Sequence, residues 1–177
     1  KDFRERFIQP FLHLEIDLHI LVGNHDIYFR NTNDVNSLQE LLGANYKNIH
    51  IYPEAQDVDF GGFPILMMPW INPQNEIYSF GMMDETKADT MMSHLEVVGF
   101  EMHGGHTSES GFDKEQFKKF HTIFSGHYHK KSDDGQIYYL GTPYQMTWSD
   151  YNCPKGFHIF DTETRELTRI VNPQKIF

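Results

Sequence analysis

The sequence predicts a layered α/β sandwich, built as a single domain over residues 1–177. Two observations lead to this fold class. Strand and helix patterns alternate along the first part of the chain and strands dominate its last third, which is typical of layered α/β folds. Hydrophobic residues make up 39% of the chain, which is enough for one buried core, and no repeat, low-complexity stretch or linker divides it.

The helices are predicted from the spacing of apolar residues. Phe3, Phe7 and Phe11 recur at a spacing of four in the segment Phe3–His13, although Pro10 within it favours an interruption. A later segment starts with a proline, which a helix tolerates in its first turn. The remaining predicted helices are Ser37–Leu42, which ends at Gly43, Pro73–Lys87 and Asp113–Phe120.

Short apolar runs between turn residues predict the strands. The glycine pair Gly61-Gly62 supplies a turn, so the segments on either side of it, Val58–Phe60 and Phe63–Met68, should form a hairpin. From Gln136 onward apolar and polar residues alternate, which indicates mainly strand. The other predicted strands are Leu18–Val22, Ile49–Tyr52, Thr90–Ser93 and Thr122–Ser125.

Composition and charge exclude several classes of protein. The aromatic content of 15% excludes a disordered chain, and the longest apolar runs are far too short to cross a bilayer. No apolar run suited to a signal peptide follows the charged residues 1–5. The single cysteine, Cys153, excludes an internal disulfide and suits a reducing compartment, so we expect a cytoplasmic protein. The formal charge of −10 argues against general attraction to a nucleic-acid backbone.

Three of the predicted strands run directly into residues that can bind a metal ion. Ligands of α/β sheets bind just beyond the carboxyl ends of the strands, and a glycine at the strand exit lets the backbone turn sharply. The sequence therefore predicts one site that combines three strand ends. They are Gly23-Asn24-His25-Asp26, His94, and Gly126-His127-Tyr128-His129.

Each of these groups, taken singly, has a simpler interpretation. Asn-His-Asp after a glycine is a common turn composition, and the two side chains of His-x-His, which project to the same side, also occur as surface decoration. A lone histidine such as His94 is more often a core residue than a ligand. His103 and His106, in the following glycine- and serine-rich loop, are alternatives to His94, which we favour because a buried strand leads into it. All three groups together form a specific pattern.

These motifs resemble the later motifs of the calcineurin-like metallophosphoesterases, in which a lone histidine stands between the Asn-His-Asp and His-x-His groups. Two further segments are similar to the end of the SbcD-type DNA repair nuclease core, and in particular to bacteriophage recombination endonuclease subunits. The segments are Tyr138–Pro143 and Lys155–Asp161. The resemblance covers nearly the whole chain. It implies a four-layer α/β/β/α sandwich and a DNA exonuclease or endonuclease of recombination and repair.

The resemblance also implies a role for each site residue. His25 would face the substrate phosphate as a proton donor or charge stabiliser, and Asp26 would orient the loop. Two divalent ions would activate water for phosphodiester hydrolysis, with Mn2+ favoured by the family and Fe2+ or Zn2+ also suited to the ligands. The implied partners are a DNA substrate and an SbcC-like ATPase subunit. The metal ligands would be Asn24, His94 and His127 for one ion, and His129 for the other.

The chain departs from the family pattern at its start. That pattern opens with an Asp-x-His motif and a Gly-Asp motif after the first two strands, and neither stands before the third-strand region of this chain. Two strand–helix units correspond to about 60 residues, which would supply the remaining ligands. We therefore expect an N-terminally incomplete domain that binds metal weakly and hydrolyses little or nothing. Missing strands would expose sheet edges, so we also expect a homodimer or poor solubility.

Two other functions stay open. A phosphatase or nucleotide phosphodiesterase would use the same site; Gly141-Thr142-Pro143 favours the nuclease, whereas the net charge of −10 favours this alternative. A non-catalytic scaffold or interaction domain would explain the missing motifs, but it has no structural need to keep these histidines together. No substrate-contacting residue is assigned, since Lys130 and Lys131 are most simply read as solvated turn residues.

Overall fold

The computed structural model describes residues 3–43, 46–103 and 106–177, apart from the side chain of His103. A π-helical turn, Arg4–Ile8, continues directly into α1 (Gln9–His13). Pro10 lies in the first turn of α1, where the helix type changes, and it does not interrupt the helical segment. The other α-helices are α2 (Ser37–Leu42) and α3 (Glu76–Glu85).

A mixed α/β fold is confirmed, with a mostly parallel six-stranded sheet at its centre. The strand order in this sheet is β3-β4-β5-β8-β10-β9. The four middle strands are parallel, and the two edge strands pair antiparallel to their neighbours. Its strands are β3 (Gln56–Asp59), β4 (Pro64–Met68), β5 (Thr90–Ser93), β8 (Thr122–Ser125), β9 (Ser132–Asp133) and β10 (Ile137–Tyr139).

Three further two-stranded pairs surround the six-stranded sheet. The first, parallel and closest to the N-terminus, carries the Gly23 loop at the end of one strand. The other two pairs are antiparallel. The pairs are β1 (Leu18–Leu21) with β2 (Ile49–Tyr52), β6 (Glu101–His103) with β7 (His106–Thr107), and β11 (Gly156–Phe160) with β12 (Leu167–Val171).

Three hydrophobic clusters hold these elements together. The largest packs α3 and the turn around Phe117 on one face of the six-stranded sheet, with Leu66, Met91 and Tyr139 fully buried. A second cluster, around Ile65 and Met67 on the opposite face, joins this sheet to β1 and β2. A third packs the N-terminal helical segment and α2 on the other side of β1 and β2. Successive strand residues alternate between these clusters because their side chains point to opposite faces.

The structure differs from the sequence-based expectations in several elements. The helix predicted over Asp113–Phe120 is only a 3₁₀ turn, Lys114–Phe117. The helix predicted over Pro73–Lys87 is shorter than expected: α3 covers only Glu76–Glu85, and Pro73 lies before it. The segment after Gln136 contains less strand than predicted and includes a 3₁₀ turn, Trp148–Asp150. His103 and His106 lie in β6 and β7 and not in a loop, while residues 104 and 105 between them lie outside the described residues.

Among the described residues, no helix is both long and apolar enough to cross a membrane.

Candidate functional site

The carboxyl ends of β1, β5 and β8 meet at one point of the fold. The backbone N–H of Trp70, just after β4, donates to the carbonyl oxygen of Val22 at 2.8 Å, which ties the end of the six-stranded sheet to the end of β1. Across this junction the side chain of Asn24 reaches His94, with 3.0 Å between Oδ1 and Nε2. Two predicted site residues that are 70 positions apart in sequence are therefore in contact.

The ring of His94 lies in a narrow space between two glycines. A Cβ added at Gly23 would approach the ring to 2.8 Å, and one added at Gly126 would approach it to 3.0 Å. The first distance is shorter than real Cβ contacts and the second is tighter than most of them, so a side chain at either position would press on the ring of His94. The backbone N–H of His94 also donates to the carbonyl oxygen of Met68 at 3.1 Å. His94 is thus fixed in one orientation.

His127 completes the group at the end of β8. Its ring centroid lies 5.4 Å from that of His94 and 5.4 Å from that of Trp70. Its backbone φ is 79°, in the left-handed region that residues with a Cβ rarely adopt. Such a conformation costs on the order of 1–3 kcal/mol and persists only where the surroundings enforce it. The strained residue is thus one whose ring lies beside those of His94 and Trp70.

The electrostatics of the group favour uncharged imidazoles. Burial, together with the neighbouring His127 and His25, lowers the pKa of His94 to about 4. Burial likewise lowers the pKa of His127, against the opposing effect of the Glu96 carboxylate. A neutral imidazole is the form that binds a metal ion. Both rings are therefore available as nitrogen ligands at neutral pH.

His25 and Asp26 lie in the loop after Asn24. The side chain of Asp26 accepts a hydrogen bond from the backbone N–H of Gly23 at 2.9 Å, which closes the loop on itself. His25 is exposed to solvent and lies close enough to His94 and His127 for its charge to lower their pKa values. It therefore lies at the open side of the group.

His129 lies beside His127 but has its own support. Its Nδ1 lies 3.8 Å from Oδ2 of Asp150, and its carbonyl oxygen accepts a hydrogen bond from Nζ of Lys155 at 2.7 Å. Asp150 and Lys155 form a buried ion pair with 2.6 Å between Oδ1 and Nζ. The ammonium group of Lys155 and neighbouring backbone N–H groups hold the pKa of Asp150 below its usual range, against the opposing effect of burial, which is the largest single influence. This ion pair fixes the backbone at His129.

Three residues next to the site, Trp70, Asp150 and Lys155, were not predicted from the sequence. Trp70 follows β4, and the strand-end rule applied to β1, β5 and β8 would have identified it as well. Asp150 and Lys155 give no comparable signal, because they lie in a 3₁₀ turn and just before β11, and only the fold brings them to His129. The supporting residues of the site were thus harder to predict than the candidate ligands.

The donor set fits part of a metal site. Two neutral imidazole nitrogens and one amide oxygen suit a transition-metal ion better than calcium, and the rigid mount of His94 suits a ligand. Among the described residues, however, no three histidine, cysteine, aspartate or glutamate side chains are arranged to hold a metal ion together. The types of donor atom therefore suit a cation, but the described residues do not form a full coordination shell.

Comparison with known proteins gives a match over nearly the whole chain. No protein-family model matches the sequence. The chain is 34% identical over 171 residues to "Exonuclease subunit 1" of Enterobacteria phage T4, and the match covers 97% of this chain. It spans about half of that relative, 50% of its length. Over nearly its whole length the chain is thus similar to half of a phage protein that is named as an exonuclease subunit.

Proposed function

We propose that this chain forms part of the catalytic core of a metal-dependent DNA phosphodiesterase, the exonuclease or endonuclease subunit of a recombination and repair complex. The observation that carries the proposal is the 3.0 Å contact between Asn24 Oδ1 and His94 Nε2, with the ring of His127 centred 5.4 Å from that of His94. Side chains from three strand ends thus converge as the chemistry requires. The similarity to a phage exonuclease subunit supports a nuclease over other phosphoesterases.

Asn24, His94 and His127 would hold one divalent ion and His129 would contribute to a second. Mn2+ is our first choice, with Fe2+ and Zn2+ also compatible with nitrogen and oxygen ligands. His94 is preferred to His106 as the lone-histidine ligand because it is the one in contact with Asn24. The buried Asp150–Lys155 pair would keep His129 in place, as outer partners of metal ligands commonly do.

When bound, two such ions would neutralise charge on the scissile phosphate and acidify an attacking water. His25, exposed at the open side of the group, would donate a proton to the leaving alkoxide, a contribution of roughly 100- to 10,000-fold in rate for a well-placed acid. Asp26 would hold His25 in place through its hydrogen bond to Gly23. These roles divide the loop into a ligand, an acid and a support.

A two-metal site also requires carboxylate ligands, and we propose that a further segment of the protein supplies them. The same segment would add strands to the β1–β2 pair and complete a four-layer α/β/β/α metallophosphoesterase sandwich. Two of its layers would correspond to the N-terminal helical cluster and the α3 cluster. The partner would be an SbcC-like ATPase, since the similar phage protein is named as a subunit.

One alternative of another class has an observation in its favour. A scaffold or interaction domain would explain why the described residues contain no group of three histidine, cysteine or acidic side chains able to hold a metal ion. It would not explain why His127 keeps a left-handed backbone with its ring beside His94. A phosphatase or nucleotide phosphodiesterase of the same superfamily remains the alternative within the enzyme class.

The metal assignment is tested by titrating Mn2+ into the chain by calorimetry. We expect weak binding that falls at least about tenfold in His94→Gln and is unchanged in His13→Gln, an exposed histidine of α1. Loss of binding in His106→Ala but not in His94→Gln would overturn the ligand assignment. Efficient Mn2+-dependent cleavage by the 177-residue chain alone would contradict the need for further ligands.

The substrate class is tested with the whole protein and two substrates, single-stranded DNA and a small aryl phosphodiester. We expect much faster hydrolysis of DNA. The reverse preference would favour the phosphatase alternative, and hydrolysis of neither in the presence of Mn2+ would favour the scaffold.

A further inference from the structure

A cavity of about 600 Å³ adjoins the candidate metal ligands. Its lining includes His127 and His129, together with the largely apolar side chains of Met102, Tyr128 and Trp148. Its volume lies within the range of roughly 300–1,000 Å³ that is typical of small-molecule sites. A strand whose phosphate lay at the two histidines would therefore place an adjacent group in a space lined by aromatic rings.

Trp148 is an unusual member of this lining because 76% of its surface is exposed. One side of its indole packs on Phe177, with 4.6 Å between the ring centroids and 36° between the planes. Much of the remaining surface is open to solvent and to the cavity. A large aromatic side chain left open beside a polar site provides apolar area to a ligand at little cost in side-chain entropy.

The turn that carries Trp148 is rigidly held. Thr147 and Asp150 form a capping box around it, and Oδ2 of Asp150 accepts hydrogen bonds from the backbone N–H groups of Met146 and Thr147 at 2.9 and 3.1 Å. The same carboxylate lies 3.8 Å from His129. The position of the indole is therefore linked directly to that of a candidate metal ligand.

We propose that Trp148 is a stacking platform for an unpaired nucleobase next to the phosphate held at His127 and His129. This inference rests on the proposed phosphodiesterase function and narrows its substrate to single-stranded DNA or a frayed DNA end. Both faces of a base inside a duplex are already stacked, so only an unpaired base can use the platform. Stacking on an aromatic side chain strengthens binding by roughly 5- to 100-fold for each base.

Stacking on Trp148 would offset the unfavourable net charge of the chain. With a formal charge of −10, general electrostatic attraction cannot hold a nucleic acid. Stacking depends on the base and not on the phosphate charge. It would therefore provide affinity that salt weakens little, in a protein whose surface repels the DNA backbone.

The test compares two fluorescently labelled strands of equal length and charge, oligo-dT and an abasic sugar-phosphate strand, in buffer with calcium. Wild-type chain should bind oligo-dT roughly 5- to 100-fold more tightly than the abasic strand. Trp148→Ala should reduce oligo-dT binding to the abasic level, whereas Trp148→Phe should retain most of it. Tyr151→Ala is the matched control, because Tyr151 is 61% exposed in the same segment but does not line the cavity; it should bind as the wild type does.

Each outcome decides the inference. Equal binding of the two strands by the wild type, no binding of either, or unchanged oligo-dT binding by folded Trp148→Ala would overturn the platform. If Trp148→Ala does not fold, the comparison of the two strands on wild-type protein decides alone. The Mn2+ titration separates the two proposals: Mn2+ binding that depends on His94 without base-dependent binding removes only the platform, and the absence of both removes the phosphodiesterase as well.

Discussion

The hydroxyl of Tyr139 has two hydrogen-bond partners in the main core. It donates to the carbonyl oxygen of Leu95 and accepts from the backbone N–H of Val97, both at 3.0 Å, and the side chain is fully buried. Burial raises the pKa of this hydroxyl far above its usual value, so it stays protonated and able to donate. Tyr139 therefore fixes the segment that follows His94.

Tyr139→Phe should lower the free energy of unfolding by about 1–3 kcal/mol, because it leaves a buried N–H and a buried carbonyl without a partner. Tyr138→Phe is the control, since its hydroxyl bonds only to the carbonyl oxygen of Gly135 in an exposed position. Urea denaturation of the two variants and the wild type measures the difference. Equal losses in both variants would show that the hydrogen bonds of Tyr139 contribute nothing special.

His158 gives the chain a predicted sensitivity to acid. Both of its ring nitrogens are buried without a hydrogen-bond partner among the described residues. Burial lowers its pKa, and the charges of Arg169 and Lys131 lower it further. The unfolded chain therefore binds this proton more readily than the folded one. As the pH falls below about 6.5 and through the folded pKa, the free energy of unfolding should fall.

His158→Leu should remove this part of the acid sensitivity. We expect the difference in the free energy of unfolding between about pH 8 and pH 5 to be smaller in the variant than in the wild type. Ile159→Leu, an exposed neighbour on the same strand, should keep the wild-type difference. Identical pH dependence of His158→Leu and wild type, measured by urea denaturation, would refute the assignment.

Among whole elements, several short ones have the bounds predicted from the sequence, including α2 and β2, whereas β1 ends one residue earlier than predicted. Thr90–Ser93 and Thr122–Ser125 have the bounds predicted from the sequence, because each is a short apolar run in the middle of a parallel sheet and is buried on both faces. The helix expected over Asp113–Phe120 is a 3₁₀ turn. Phe117 at the end of the turn and Phe120 just after it are both buried in the main core. Tertiary burial thus decided an element that local pattern left open.

A buried ion pair between Asp150 and Lys155 ties the turn Trp148–Asp150 to the start of β11. Lys155→Met or Asp150→Asn alone should cost about 3–5 kcal/mol in the free energy of unfolding, because each leaves a buried partner uncompensated. The double variant should lose clearly less than the sum of the two. Urea denaturation of the four chains forms a double-mutant cycle that measures this coupling.

The partly exposed ion pair of Lys131 and Asp133 provides a control for that cycle. Its side chains are 33% and 34% exposed, so Lys131→Met should cost less than about 1 kcal/mol. Additive effects of Lys155→Met and Asp150→Asn would mean that the buried pair does not act as a unit.

For the whole molecule, the sequence was sufficient to place the candidate ligands but not their surroundings. Asn24, His94 and His127 could be predicted to meet because the carboxyl ends of parallel strands share one edge of the fold. The indole of Trp148 could not be predicted beside them, because its position depends on a 3₁₀ turn that the carboxylate of Asp150 closes. The candidate ligands can be predicted from local sequence patterns, whereas the residues that support them are brought to the site only by the packing of the fold.

The β1–β2 pair predicts self-association. A sheet of two strands presents open edges whose N–H and carbonyl groups can pair with another chain. We expect light scattering at high protein concentration to detect a dimer or larger species of the 177-residue chain. A clean monomer under these conditions would show that these edges are already protected.

The 70-residue separation between Asn24 and His94 has a consequence for biosynthesis. Contacts between distant parts of a chain form late, and parallel sheets built from them fold slowly. A ribosome adds about 5–20 residues per second, so Asn24 emerges several seconds before His127. During that interval the nascent chain cannot bring Asn24 and His127 together, so the proposed cation would bind only after the last strand of the site has left the ribosome.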